Sequence, residues 1–155
     1  MNATIRFTTR WPYNIGSLLV ARLAGAKLLS HCMLIVDGIA YQATMERGCT
    51  ADPVGVAMEG IKQYQDMPVE VPNLWAATQW GSDQRGKGYD WAGAFGIPFL
   101  ASDDWADDSR WWCSEFVFAM LMAGGLTLLD PDEKKRVTPN DLHILPFPKT
   151  ALVQC

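Results

Sequence analysis

The chain has 155 residues, of which 49% are hydrophobic and 19% are charged, and its formal net charge is −4. This length predicts one domain over residues 1–155 that needs no disulfide or metal to fold, and the composition excludes a disordered chain. The acidic balance without a basic stripe argues against nucleic-acid binding and against electrostatic attachment to anionic membranes.

No segment is typical of an export signal or a membrane span. The N-terminus lacks an apolar signal core, and the most apolar stretch, residues 15–29, is interrupted by Arg22 and Lys27. A second apolar run, residues 91–101, is short and contains glycines and a proline. We therefore expect a soluble cytoplasmic chain, with export by another route or release by lysis as the alternatives.

The four cysteines, Cys32, Cys49, Cys113 and Cys155, form no C-x-x-C pair, so the sequence gives no support for a structural zinc site. In a reducing cytoplasm we expect free thiols rather than two disulfides. A metal site built from His31, Cys49 and Cys113 has no support in the spacing. The acidic loop at residues 103–108 lacks the glycine and final glutamate of an EF-hand, and we expect no cofactor.

The N-terminal half is expected to be mainly β. Strands are predicted at residues 5–9, 32–36, 39–44, 54–58 and 69–71. The dipeptide Asp37-Gly38 joins the second and third strands and predicts a tight hairpin. A helix from Asn14 or Ser17 to about Ala24 separates the first two strands. Prolines on both sides of the last strand indicate a sheet edge or a strand start.

The C-terminal half is expected to be mainly helical. Helices are predicted at residues 74–83, 90–95 and 111–123, with a further turn or helix start at residues 138–141. Asn73 and Ser109 are the expected N-caps of the first and third helices, and Gly124-Gly125 ends the third. Residues 102–110 read as an acidic loop. The mixture of hairpin strands and separate helices predicts an α+β fold.

Cys113 is the first candidate for chemistry. It falls in the first turn of a predicted helix, where free N–H groups and the helix dipole favour a thiolate, which is the nucleophilic form of cysteine. The alternative is a buried cysteine that packs as a small hydrophobe.

His31 and Gln42 are the candidate partners of that thiol. His31 precedes the apolar strand, and a neutral imidazole can accept a thiol proton. A symmetric return of the hairpin brings residues 42–44 opposite His31 and Cys32, and Gln42 carries the carbonyl that an imidazole N–H needs. The alternatives are a surface histidine and an exposed strand residue. Cys32 is expected to point to the opposite face and to be core, and His143 to be structural.

Three stretches resemble one family. They are Ser30-His31 with Tyr41-Gln42-Ala43 and Gly48, the helix start Trp112-Cys113-Ser114-Glu115-Phe116-Val117, and Thr138-Pro139-Asn140-Asp141-Leu142. The chain resembles the circularly permuted, NlpC-like branch of the papain-like fold, which includes YiiX-like proteins and lecithin:retinol acyltransferase. The resemblance implies an antiparallel sheet or small barrel packed against helices, with the nucleophile at a helix N-terminus.

The resemblance also implies roles. Cys113 is then the nucleophile, His31 the general base, and Gln42 the third polar residue, a position where the family often has an acid or a histidine. Glutamine cannot stabilise an imidazolium by charge, so Thr44 and Glu46 are alternative partners. The expected substrate-binding residues are Ser30, Trp111, Trp112, Ser114 and Tyr89.

Two functions from different classes follow. The first is a thiol hydrolase, an amidase, peptidase or acyltransferase, acting on an amide or ester bond of a cell-wall peptide or a lipid-like substrate. The second is a catalytically inactive binding or structural module of the same fold, for example a phage or secretion-system component.

Overall fold

The computed structural model describes residues 2–10, 30–90, 109–130 and 137–155. Their largest element is a six-stranded antiparallel sheet. Its strands are β1 (Asn2–Arg10), β2 (His31–Val36), β3 (Ile39–Thr44), β4 (Gly48–Pro53), β5 (Ile61–Glu70) and β8 (Val153–Gln154). Their order across the sheet is β4-β3-β2-β1-β5-β8.

Four helices and a two-stranded parallel ribbon complete the described part of the chain. The helices are α1 (Val54–Ala57), α2 (Leu74–Asp83), α3 (Cys113–Ala123) and α4 (Pro139–His143), and the ribbon pairs β6 (Gly88–Tyr89) with β7 (Arg110–Trp111). This arrangement confirms the predicted α+β class. None of the helices in these ranges is both long and apolar enough to cross a membrane.

The hairpin predicted at Asp37-Gly38 is confirmed. Both residues have positive φ angles, 48° and 78°, which is the backbone of the turn that best matches the twist of two antiparallel strands. The strands leave the turn in register, with Val36 opposite Ile39. The start of β2 and the end of β3 consequently lie at the same end of the sheet.

The main core lies between one face of the sheet and helix α3. Alternate strand residues face the same side of a sheet, and Phe7, Cys32 and Leu34 point to this side and are fully buried. Helix α3 packs on β2 and β3 and contributes Phe116 and Met120, which are fully buried as well. Burying a side chain of this size contributes about 1.5–3 kcal/mol. The start of α3 is thereby fixed against the start of β2.

The opposite face of the sheet is more polar. Arg6 and Asp66 form an ion pair on it at 2.7 Å, and Met33 and Ala40 pack there against Ala57 of α1 in a small second cluster. His31 and Gln42 have the same strand parity as Met33 and Ala40, so they start from this face.

The predicted strand at residues 54–58 is wrong, because Val54–Ala57 is the short helix α1. Two valines favour a strand locally, but the chain has to reverse here between β4 and β5. The Val54 N–H donates to the Gly38 carbonyl, which turns the chain over the tip of the hairpin. Strand β4 precedes this reversal. It was not predicted, because residues 44–53 are rich in residues that are typical of turns.

The predicted start of the third helix is also wrong. Helix α3 begins at Cys113 rather than at residue 111, and its N-cap is Trp112 rather than Ser109. Arg110–Trp111 is extended because it pairs with Gly88–Tyr89 as strand β7, a contact between distant segments that local propensity does not report. Cys113 is therefore the first residue of its helix.

Other expectations agree with the structure. Helix α2 spans Leu74–Asp83, and the Asn73 side chain accepts from the Ala76 N–H at 3.0 Å, as a cap does. Thr138 and Asp141 form a capping box at the start of α4. Of the strand predicted at residues 69–71, Val69 and Glu70 form the end of β5 rather than a strand start, and Val71 follows the strand. The helices predicted at residues 14–24 and 90–95 and the loop at 102–110 fall mainly on residues outside the described ranges.

Candidate functional site

Strands β2 and β3 separate at the end where His31 lies. Their shared ladder runs from Val36–Ile39 to Leu34–Tyr41. Beyond it, β2 continues along β1, with His31 opposite Thr8, while β3 continues along β4. The gap between the two strands is where the side chains of His31, Gln42 and the helix start can meet.

The His31 imidazole is bound to Gln42. Its Nε2 lies 2.8 Å from the Gln42 Oε1. An amide oxygen only accepts hydrogen bonds, so Nε2 is the protonated nitrogen and the neutral ring carries its lone pair on Nδ1. Gln42 itself is 5% exposed on a strand held between β2 and β4, which fixes the ring orientation. This pair is the geometry that a general base requires.

Cys113 lies on the other side of the gap, at the first position of α3. The Trp112 side chain provides no cap hydrogen bond to this helix, and the first-turn N–H groups and the helix dipole favour a negative charge on the sulfur. Hydrogen bonding from Cys32 and from His31 is among the causes that lower the pKa of the Cys113 thiol. The structure thus brings together Cys113, His31 and Gln42 from two strands and a helix.

The surroundings of Cys113 lower the pKa of its thiol well below the ordinary value. The largest cause is a hydrogen bond from the Cys32 side chain; burial opposes it, and His31 lowers the pKa further by a hydrogen bond and by its charge. The Cys32 backbone N–H also donates to the sulfur. Hydrogen-bond donors to the thiolate offset the cost of burying its charge, so the ionised form of Cys113 is favoured.

Cys32 is core, as expected, but it is also part of the site. It is fully buried, and burial together with its hydrogen bond to Cys113 raises its pKa well above the ordinary thiol value. One thiol of the pair therefore stays protonated and donates while the other carries the charge. The sequence contained a signal for this contact, since Cys32 adjoins His31 in the strand against which the helix start packs.

Cys49 shows what burial alone does to a thiol in this protein. It is buried in the same core, on β4, and burial raises its pKa to about 11, with Lys87 opposing the shift. Burial acts in the same direction on Cys113, so the opposite outcome there comes from its hydrogen-bond donors. All four cysteines are free thiols.

A cavity of about 140 Å³ adjoins the His31–Gln42 pair. Its lining includes Ser30, Thr8 and Tyr89, together with apolar side chains of Val56 and Ala57 from α1. The Thr8 hydroxyl is buried, and no partner for it lies within the described residues. A cavity of about 150 Å³ accommodates a benzene-sized group, so this one fits a small apolar moiety beside the base.

Gly48 holds Tyr89 at the edge of this cavity. Its φ is 64°, and a Cβ there would collide with the Lys87 carbonyl oxygen, so only glycine allows the approach. The Cys49 N–H donates to the same oxygen at 2.9 Å, which ties the segment carrying Tyr89 to β4. Burial raises the Tyr89 pKa, with the Cys113 sulfur contributing, so the phenol stays neutral.

The other expected substrate-binding residues lie elsewhere. Trp112 and Ser114 are fully buried in the core, and the Ser114 hydroxyl donates to the Val137 carbonyl at 2.6 Å. Trp111 packs edge-on against Trp80 and donates to the Gln84 Oε1 at 3.2 Å. Of the five, Ser30 and Tyr89 line the cavity and these three do not. The expected partners Thr44 and Glu46 also line it.

The described residues hold no group of three or more His, Cys, Asp or Glu side chains that could bind a metal ion. No family model matches the sequence, and a search of the curated proteins returns no match.

Proposed function

We propose that the protein is a thiol hydrolase with a permuted papain-like arrangement, in which Cys113 is the nucleophile, His31 the general base and Gln42 the residue that orients the imidazole. The observation that carries this proposal is the 2.8 Å bond between His31 Nε2 and Gln42 Oε1, on a ring that also lowers the pKa of the Cys113 thiol. Cys113, His31 and Gln42 thus correspond to a nucleophile, a base and a group that orients the base.

The reaction begins when His31 Nδ1 takes the thiol proton and the Cys113 sulfur attacks the carbonyl carbon of an amide or ester. The carbonyl oxygen becomes an oxyanion, to which the Cys113 backbone N–H at the helix start donates in this scheme. As the intermediate collapses, the imidazolium protonates the leaving amine or alcohol, and a thioester remains. His31 then deprotonates water, which attacks the thioester and releases the acid and the thiol.

Gln42 determines how strongly His31 can act as a base for the Cys113 thiol. Its carbonyl fixes which imidazole nitrogen is protonated, as a carboxylate would, but it brings no negative charge to stabilise the imidazolium. The ion pair formed by this proton transfer is instead stabilised on the sulfur side, by Cys32 and the helix start. We therefore expect an enzyme in which the Cys113 thiolate is readily formed, while Gln42 gives only moderate help to proton transfer by His31.

The substrate in this proposal carries an apolar group next to the scissile bond. The cavity beside His31 is lined by Val56, Ala57 and Ile61 and has the size of one small ring or short branched chain. A cell-wall peptide or a lipid-like amide or ester satisfies this requirement. Glu46 and Arg47 also belong to the lining and provide polar contacts beside the apolar wall.

The alternative is an inactive module of the same arrangement. The observation that favours it is the exposure of the nucleophile, since Cys113 is only 2% exposed. In this reading the three residues form a buried polar network that fixes the start of α3 against the sheet.

Thiol alkylation separates the two. Iodoacetamide labelling, followed residue by residue by mass spectrometry from pH 5 to 9, measures the reactivity of each thiol. We expect Cys113 to react faster than the exposed Cys155 at pH 6, with a pH inflection that His31→Ala abolishes, and Cys49 to react slowest. If Cys113 reacts no faster than Cys155 and shows no such inflection, the protein is the inactive module.

A further inference from the structure

The cavity of the candidate site is lined by buried residues, its inner part, and by exposed residues, its rim. The charged lining residues Glu46 and Arg47 are exposed, and the Arg47 guanidinium donates two hydrogen bonds to the Asp52 carboxylate. The inner part includes the apolar side chains of Ala57 and Ile61. Because a charge without a partner is costly to bury, the inner part favours a neutral group.

Thr8 is a polar residue of this inner part. It lies on the inner strand β1, directly opposite His31 of β2, and it is fully buried. Its hydroxyl has no hydrogen-bond partner among the described residues. Other polar atoms of the lining are engaged, since the Gln42 Oε1 accepts from His31 and the Thr44 hydroxyl accepts from the Arg47 N–H at 3.2 Å. Thr8 thus provides the cavity with a donor and an acceptor.

We propose that the inner part of the cavity binds a short neutral group with an apolar body and one hydrogen-bonding atom, and that Thr8 selects this group. A hydroxyl, an amide or a carbonyl on the bound group can pair with the Thr8 hydroxyl, which both donates and accepts. A plain hydrocarbon of the same size leaves that hydroxyl unpaired. The assignment of the bound group to a substrate rests on the proposed hydrolysis, whereas its binding does not.

The Thr8 hydroxyl discriminates between ligands because hydrogen bonds are costly to lose on burial. A ligand that displaces solvent from this hydroxyl has to replace the hydrogen bond, or it loses affinity. A site with a buried polar group therefore rejects a ligand that lacks the matching atom, and a purely apolar pocket discriminates much less. We expect the Thr8 hydroxyl to change relative affinities on the order of tenfold.

The stability of Thr8→Val is a first test. Valine keeps the β-branched shape that suits a strand and replaces the hydroxyl by a methyl group. Because this hydroxyl pairs with no described residue, we expect Thr8→Val to melt no lower than wild type. A loss of several degrees in melting temperature would show that the hydroxyl stabilises the fold, and it would overturn the proposal.

The second test measures binding directly, by titrating isotope-labelled protein with phenol and with toluene and following the backbone amide NMR shifts. The two probes have nearly the same shape and differ by a hydroxyl against a methyl group. We expect shifts at Ala57 and Ile61, and a preference for phenol over toluene that is about tenfold lower in Thr8→Val than in wild type. An equal preference in the two proteins, or no binding at these residues at millimolar concentrations, overturns the proposal.

Thr9→Val is the matched control. Thr9 is the next residue of β1, so its side chain points to the opposite face, and it is not part of the cavity lining. Its hydroxyl accepts from the Gln63 Nε2 at 3.4 Å. We expect Thr9→Val to keep the wild-type preference for phenol. A preference as low as that of Thr8→Val would assign the effect to the sheet and contradict the role of the Thr8 hydroxyl.

Ester hydrolysis separates this inference from the proposed function. The p-nitrophenyl esters of lactate and isobutyrate also differ by a hydroxyl against a methyl group, and we expect their ratio of kcat/KM to fall about tenfold in Thr8→Val. Hydrolysis with an unchanged ratio contradicts selection by Thr8 and leaves the hydrolase in place. If neither ester is hydrolysed while the preference for phenol depends on Thr8, the proposed hydrolysis fails and the binding site stands.

Discussion

The protein contains two histidines, and each makes the same bond to a glutamine. His31 Nε2 lies 2.8 Å from Gln42 Oε1, and His143 Nε2 lies 2.8 Å from Gln65 Oε1. In both pairs the amide oxygen accepts and fixes Nε2 as the donor. Hydrogen-bond geometry alone does not distinguish the two sites.

The difference lies in what surrounds each ring. His143 packs edge-on against Phe7 at 5.0 Å, and burial, with a contribution from Lys149, lowers its pKa. His31 faces a cavity and contacts a sulfur whose pKa is lowered in turn. An oriented imidazole is a candidate base only where a thiol that can act as a nucleophile and an open space adjoin it. His143 and Gln65 are therefore internal controls for His31 and Gln42.

The largest effect is expected from Cys113→Ala. Loss of the sulfur removes the proposed nucleophile, and hydrolysis of a p-nitrophenyl ester should fall to the rate without enzyme. Thermal unfolding should change little, since removing one buried sulfur costs roughly 1 kcal/mol. Cys49→Ala, which removes a sulfur from the same core, should stay active. Retained turnover in Cys113→Ala, or a large loss of melting temperature, would identify Cys113 as a packing residue.

Replacement of the histidines should give the next largest contrast. His31→Ala removes the proposed general base and should lower kcat/KM by about 10²–10⁴-fold, the usual contribution of such a group. It also removes a partner that lowers the Cys113 pKa, so the pH inflection of alkylation should move upward. His143→Ala should leave both quantities near wild type. Similar losses in the two variants would contradict the distinction between the sites.

Gln42→Ala should cost less than His31→Ala, on the order of tenfold in kcat, because the ring keeps its basic nitrogen and loses only its orientation. Gln65→Ala is the matched control and should leave kcat unchanged. Steady-state kinetics on both variants measures this. A loss in Gln42→Ala equal to that in His31→Ala would mean that Gln42 does more than orient the ring.

Cys32→Ala should raise the Cys113 pKa, because the largest contribution to its lowering is the hydrogen bond from the Cys32 side chain. Alkylation of Cys113 at pH 6 should slow, and its inflection should shift toward the ordinary thiol value. Cys32→Ser should restore most of the shift, since a hydroxyl also donates. An unchanged inflection in Cys32→Ala would assign the whole effect to His31 and the helix start.

The smallest effect concerns stability below neutral pH. The folded pKa of His143 is below its unfolded value near 6.5, so the unfolded chain binds more protons as the pH falls through that value. His143 should therefore destabilise the fold in acid, and His143→Gln should lose less melting temperature between pH 7.5 and 5 than wild type. Parallel losses in the two proteins would show that another group dominates acid sensitivity.

Local patterns predicted much of the fold. The turn at Asp37-Gly38 and the cap at Asn73 determine their elements through short-range geometry, so the hairpin and helix α2 could be predicted from the sequence. The helix at Val54–Ala57 and the strand at Arg110–Trp111 could not, because a chain reversal and a pairing with a distant segment overrode local preference.

The candidate site likewise combines features that could be predicted from the sequence with features that could not. The hairpin turn at Asp37-Gly38 predicted that residues 42–44 lie near His31, but the paired register ends at Leu34–Tyr41, so the bond between His31 and Gln42 depends on how β2 and β3 separate beyond it. The sequence also identified Cys113 as a cysteine at a helix start. The influence of Cys32 on the Cys113 pKa and the burial of Trp112 could not be predicted, because packing of α3 on the sheet fixes which side chains share the interior. Burial alone would keep the Cys113 thiol protonated. The packing of α3 places hydrogen-bond donors around this thiol, and they lower its pKa.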